Sequence, residues 1–212
     1  MSYTRLQLRT TLRHHLNDEA ADAWSDQSLN QFLHDAIAEY SRYFPREVAI
    51  TISCVTDTRT YSLTSNTNVR DVLEVEYPAG QDPPRYLVPR SRVDPEGFWG
   101  YQYYDLLGGD KPNSLIIGQK PTTGQTINVL LLEDHAYPDA DSDVLTTDDR
   151  DLILLVDYAE GLSYRALVAA EAAQPTLGTS NMSQLLAASN SAENAYRNVL
   201  AARLRRGTTL EG

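Results

Sequence analysis

Cysteine is almost absent from this sequence: Cys54 stands alone, so no intrachain disulfide can staple the fold and a reducing compartment is indicated. Lysine is nearly as scarce, with Lys111 and Lys120 the only two among 18 basic residues. Long hydrophobic runs are missing as well. The stretches 129–132 and 152–156 fall far short of the roughly 20 residues that a membrane span requires, so no bilayer crossing is expected. Residues Met1 to Arg5 lack the apolar stretch and cleavage site of a signal peptide, which points to cytoplasmic synthesis. Positive charge is short overall, giving a formal charge of −11. Residues 1–46 carry 5 basic and 6 acidic side chains, 47–150 carry 8 and 17, and 151–212 carry 5 and 6. An acidic middle repels phosphate, which disfavours a sequence-reading DNA-binding domain but leaves passive contact with DNA open.

Catalytic signatures are missing too. There is no P-loop, no Gly-x-Gly-x-x-Gly, no His-Glu-x-x-His and no Gly-x-Ser-x-Gly elbow. Ser163, in Glu160-Gly161-Leu162-Ser163-Tyr164, sits inside a helical pattern. His14, His15, His34 and His135 read as structural or solvent-facing. Asp139, Asp141 and Asp143 match the first three positions of a calcium loop, but Val144 replaces the required glycine and Arg150 the bidentate glutamate. An acidic loop leading into a helix is the reading that remains. No enzymatic activity, metal or cofactor is expected.

What is present falls into three stretches. Thr4 and Gln7 form a capping-box pattern ahead of Leu8, Leu12 and Leu16, one stripe of a short helix. Ser25 caps a second helix, whose Leu29, Phe32, Leu33, Ala36, Ile37 and Tyr40 recur at helical spacing until Phe44-Pro45 stops it. The period then changes to two: Val48, Ile50 and Ile52 alternate, and Val69, Val72, Val75 and Tyr77 mark a further apolar stretch. Residues 115–117 and 127–132 read as two more strands, and Gly118 to Gly124 suits a hairpin between them. Eight of the ten prolines lie between Pro78 and Pro138, which fits a small antiparallel sheet with long loops. Helix returns with Thr146 or Thr147 as N-cap, then Leu152, Leu155, Val156, Ala159, Leu162, Ala166, Leu167 and Ala170 on one side. Gly161 in mid-helix costs about 1 kcal/mol relative to alanine, which a close helix contact would offset. A last helix spans about 180–206, with Leu185, Leu186, Ala192, Ala195, Tyr196, Val199, Leu200 and Leu204.

The expected fold is therefore α+β: a four-helix body, an antiparallel β-sheet insertion between helices 2 and 3, and a long C-terminal helix. The implied organisation is an N-terminal helical pair at 1–46, the insertion at 47–135, an acidic loop and two completing helices at 136–206, and a flexible tail at 207–212.

Residues 4–46, with Leu12 and Leu16 leading to Trp24-Ser25-Asp26, then Leu29, Phe32, Leu33, Ala36, Ile37, Glu39-Tyr40-Ser41 and Phe44-Pro45, resemble the head-to-tail adaptor (connector) proteins of tailed bacteriophages. The helical body, β insertion and long last helix are similar to that family's plan. The resemblance implies a structural virion protein of the neck, made in the bacterial cytoplasm. It would form a ring, usually of twelve copies, joining the portal protein to a tail or neck (stopper or nozzle) protein. The ring would be open along its axis for passive contact with genomic double-stranded DNA, and an acidic lumen suits sliding DNA. In such adaptors the C-terminal segment commonly reaches the portal, which makes Arg197, Leu200, Arg203, Leu204, Arg205 and Arg206 the candidate docking arm. The alternative for these arginines is a solvated face that complements the helix C-terminus. The aromatic run Phe98, Trp99, Tyr101, Tyr103 and Tyr104 suits a subunit or partner interface. Exposed on a loop, the same rings would suit a carbohydrate-binding module of a phage tail or surface protein.

Overall fold

A computed structural model describes residues 3–64, 68–90, 102–109, 111–173 and 179–208. The chain divides into two compact units, residues 1–43 with 136–212 and residues 44–135. The first contains α1 (Arg5–His15), α2 (Asp26–Tyr43), a 3-10 turn (Asp149–Asp151), α3 (Leu152–Ala173) and α4 (Thr179–Thr208). The second contains β1 (Arg46–Ser53), β2 (Thr60–Ser62), β3 (Val69–Glu76), β4 (Val88–Pro89), β5 (Tyr103–Leu107), β6 (Ser114–Ile117) and β7 (Thr126–Glu133). The α+β class, the four helices and the long C-terminal helix are as the periodicities predict.

In the helical unit the caps explain where helices begin. The Thr4 backbone N–H donates to Gln7 Oε1 at 2.9 Å and Thr4 Oγ1 accepts from the Gln7 N–H, completing the capping box. Ser25 Oγ accepts from the Ser28 N–H at 3.1 Å at the head of α2. Leu8 and Leu12 of α1, Leu29, Leu33 and Ile37 of α2, and Leu154, Leu155 and Val156 of α3 are buried. Helix α3 is the hub, since α1, α2 and α4 each pack on it. Its cap differs from expectation. Asp148, not Thr146 or Thr147, accepts from the Arg150 N–H, because a 3-10 turn precedes the α-helix and moves the start by one to two residues. Helix α4 runs to Thr208, through the start of the expected tail, and 209–212 lie outside the described residues.

The β unit holds two sheets, one of three strands in the order β1-β7-β3 and one of four in the order β2-β6-β5-β4. Residues of both, including Tyr61, Val72, Val75, Tyr104, Leu115, Ile117, Ile127 and Leu131, form one core cluster. This corrects two expectations. The β6–β7 segment is not a hairpin: β6 pairs with β2 and β5, and β7 with β1 and β3. Its eight-residue link, 118–125, with its glycines and proline, crosses between sheets instead of turning within one. Nor is every pair antiparallel, since the short β4 runs parallel to β5. The spacing of Val69, Val72 and Val75 also finds its cause here. Register shifts between Val69 and Asp71 and between Val72 and Glu74 insert an extra residue each. The two bulges turn a spacing of three into successive inward positions on a strand whose period is two.

Candidate functional site

Helix α4 packs on α3 through a narrow seam. Ser189, Ala192, Tyr196 and Leu200 are buried. The Ser189 hydroxyl donates to the Gly161 carbonyl at 3.0 Å, and the rings of Tyr158 and Tyr196 tilt against each other with centroids 4.9 Å apart. Gly161 therefore sits at the close helix contact its position suggests. At roughly 100° per residue, Leu186, Arg197 and Leu204 fall together on one flank of this seam. They are exposed to 50 % for Leu186, 73 % for the Arg197 side chain and 40 % for Leu204. Among the described residues, Arg197 reaches back to Glu193, at 3.8 Å.

The candidate docking residues thus part company. Leu200 is buried in the seam. Arg203 is an internal tether: its Nε lies 3.2 Å from Asp151 Oδ1 and its Nη2 3.1 Å from Asp148 Oδ2. Asp151 is buried and also accepts from the Tyr40 hydroxyl at 2.8 Å, so one carboxylate links α2, the 3-10 turn and α4. The environment pushes the Tyr40 hydroxyl up in pKa, first by burial and then through its bond to Asp151. Arg150 holds the Asp148 carboxyl down at about 2. Leu204 and Arg197 remain outward, while the side chains of Arg205 and Arg206 lie outside the described residues.

The acidic loop has a different use from the calcium-like spacing. Asp141 receives Arg9 through two bonds, at 3.0 and 2.8 Å, and Arg5 at 2.7 Å. The carbonyls of Asp143 and Asp141 accept from the Arg5 and Leu6 N–H groups, and the Asp139 carbonyl accepts from the Arg5 guanidinium. Asp143 Oδ2 takes the Ala140 N–H at 2.9 Å. The loop is a receptor for the first turn of α1, and hydrogen bonding to Arg9, then to Arg5, pulls the Asp141 carboxyl down to about 2. Arg13 continues the row, bonded to Asp18 at 2.7 Å and Asp26 at 2.6 Å. Sequence reasoning missed this row. The signal was the spacing of Arg5, Arg9 and Arg13, each one residue past a stripe position or its equivalent.

The aromatic run also divides. Phe98, Trp99 and Tyr101 lie outside the described residues. Tyr103 and Tyr104 are not in a loop but open β5, and Tyr104 is only 4 % exposed, inside the sheet core with its hydroxyl 3.4 Å from the Val72 carbonyl. Alternation along a strand sends one of two neighbouring tyrosines inward, so Tyr104 is withdrawn from any exposed stacking surface.

The histidines are spread out. His14 meets Glu19 at 2.7 Å, His34 meets Asp35 and stacks edge-on against Tyr137, and His135 Nε2 lies 3.0 Å from the Phe44 carbonyl. His15 lies beside Glu160, at 3.4 Å. Ser163 turns its hydroxyl back to the Ala159 carbonyl at 2.8 Å. No helix among the described residues is long and apolar enough to cross a membrane.

No curated protein matches the sequence. The family model described as SU10 adaptor protein matches residues 3–210, from just before the capping box of α1 to just beyond the last turn of α4. With both units inside a match of that extent, the chain belongs to the SU10 adaptor protein family.

Proposed function

We propose that this protein is a structural adaptor of the phage neck, assembled as a ring of twelve copies beneath the portal and around the path of the genomic DNA. The observation that carries the reading is membership of an adaptor family over nearly the whole chain. The outward flank of α4 supports assembly, because Leu186 and Leu204 leave apolar surface in water that a neighbouring copy or the portal protein would cover. In this reading Arg197, Leu204, Arg205 and Arg206 make the portal contact. Leu200 and Arg203 serve it indirectly by holding the helix in place. The excess of acid in 47–150 keeps DNA from sticking to the channel wall, and a tail or neck protein takes the face away from the portal.

Electron microscopy of the protein mixed with its portal tests this. The expected image is annular density below the portal with rotational symmetry, lost when Leu204 and Arg197 are both changed to glutamate. A protein that stays monomeric and unbound beside its portal would sink the proposal. Docking that survives the double substitution would reject the assignment to α4 and leave the ring.

A further inference from the structure

Helix α1 ends on His15, and α3 presents Asp157 and Glu160 less than one turn apart. One ring nitrogen of His15 and one oxygen from each carboxylate all lie within 4.8 Å of one another. The separation of His15 Nδ1 from Glu160 Oε2 is 3.4 Å. Two ligands on a tetrahedral ion with bonds of about 2.1 Å stand about 3.4 Å apart, so this pair is already at bonding spacing. The Asp157 oxygen lies within 4.8 Å of both donors.

We infer that His15, Asp157 and Glu160 form a binding site for a divalent transition-metal cation of the zinc type, which would tie the end of α1 to α3. Two observations bear on the class of ion. The donors are one imidazole nitrogen and two carboxylate oxygens, a mixture that suits zinc and disfavours magnesium and calcium, which prefer all-oxygen sites. The closing turn of α1 also presents its negative end to the site. Three protein ligands leave a fourth position to water, as at open zinc sites.

The test uses the full chain, stripped with EDTA and dialysed, then titrated with zinc chloride or magnesium chloride while the melting temperature and the bound metal are measured. About one zinc per chain is expected, with a melting temperature that climbs with zinc concentration as linkage requires and ignores magnesium at equal concentration. D157N removes a ligand and a like-charge contact. It should melt no lower than the wild type without metal, yet bind zinc more weakly by at least the roughly tenfold that an outer-shell change costs. H15Q should lose the response as well. His14 with Glu19 is the exposed rival pair, so H14Q should keep it. Wild-type protein that retains no zinc overturns the inference. So does zinc retained by D157N and H15Q but lost from H14Q.

Discussion

Replacing Arg203 by methionine tests how α4 is held. Methionine keeps much of the stem's packing and deletes the guanidinium. The Arg203 side chain is 31 % exposed, whereas that of Asp151 is 5 % exposed. Removing one partner from a fully buried ion pair costs about 3–5 kcal/mol, because the other charge is stranded. Here Arg203 is partly solvated and Tyr40 still donates to Asp151, so the cost falls to about 1.5–3 kcal/mol. At about 2–4 °C per kcal/mol for a chain of this length, R203M should melt about 3–12 °C lower. Urea unfolding followed by far-UV circular dichroism measures the free energy directly. The cause can be isolated with D151N. If the stranded charge is what hurts, neutralising it in the R203M background should recover part of the loss, a coupling of about 1–2 kcal/mol. A cost under about 0.5 kcal/mol, or strict additivity in the double variant, would refute the tether and return Arg203 to the docking surface.

Three further outcomes follow from the geometry. A Cβ at Gly161 would meet Glu193 Cγ at 3.4 Å and Ala192 Cβ at 3.7 Å, ordinary contact distances, so G161A should stabilise the helical unit by about 0.5–1 kcal/mol in the same urea assay. Gly108 is the opposite case: its φ is +120° and a Cβ would fall 2.4 Å from the Lys111 carbonyl oxygen. G108A should therefore destabilise the β unit by about 1–3 kcal/mol, read as lost amide protection in β5 and β6. Asp141 and Asp148 titrate near 2 in the folded state, below their usual 3.8. Their stabilising contribution is fully present above the unfolded value and is lost as pH falls from about 4 towards 2. Carboxyl NMR titration should show Asp141 rising part-way in R9M, since Arg5 remains beside it.

The helices were legible because their signals are local. Thr4 with Gln7 and Ser25 with its following turn are caps that act within four residues, and the leucine stripe of α1 reports directly on the face that becomes buried. The strands were legible only where they alternate. β3 was recognisable as apolar but not as doubly bulged, because a bulge is defined by the opposing strand, and β7 lies some fifty residues further on. The short β2 and β4 carry too few residues to show a period. β5 begins in an aromatic run whose exposure could not be known before its sheet was. The candidate site was legible by composition and not by partner. The arginines of α4 stand out in the sequence, but Arg203 finds Asp151 only when α3 and α4 pack antiparallel. Likewise Asp141 lies more than 130 residues from Arg5 and Arg9, and His15 lies 145 from Glu160. Spacing along the chain says nothing about such pairs.

The first and last strands of the β unit lie side by side, with Arg46 opposite Glu133, and just outside them His135 Nε2 lies 3.0 Å from the Phe44 carbonyl. The 92 residues from Phe44 to His135 thus leave and return through a single doorway. In polymer terms, closing so long an excursion is a burden that the strand pairing at its base already carries, and each doubling of loop length adds only about 0.6 kcal/mol. The excursion can therefore lengthen or shorten at a small cost in closure entropy. Within a family of such chains, this is the segment in which insertions and deletions should collect, and a version trimmed to a short linker between 43 and 136 is the natural minimal form of the helical unit.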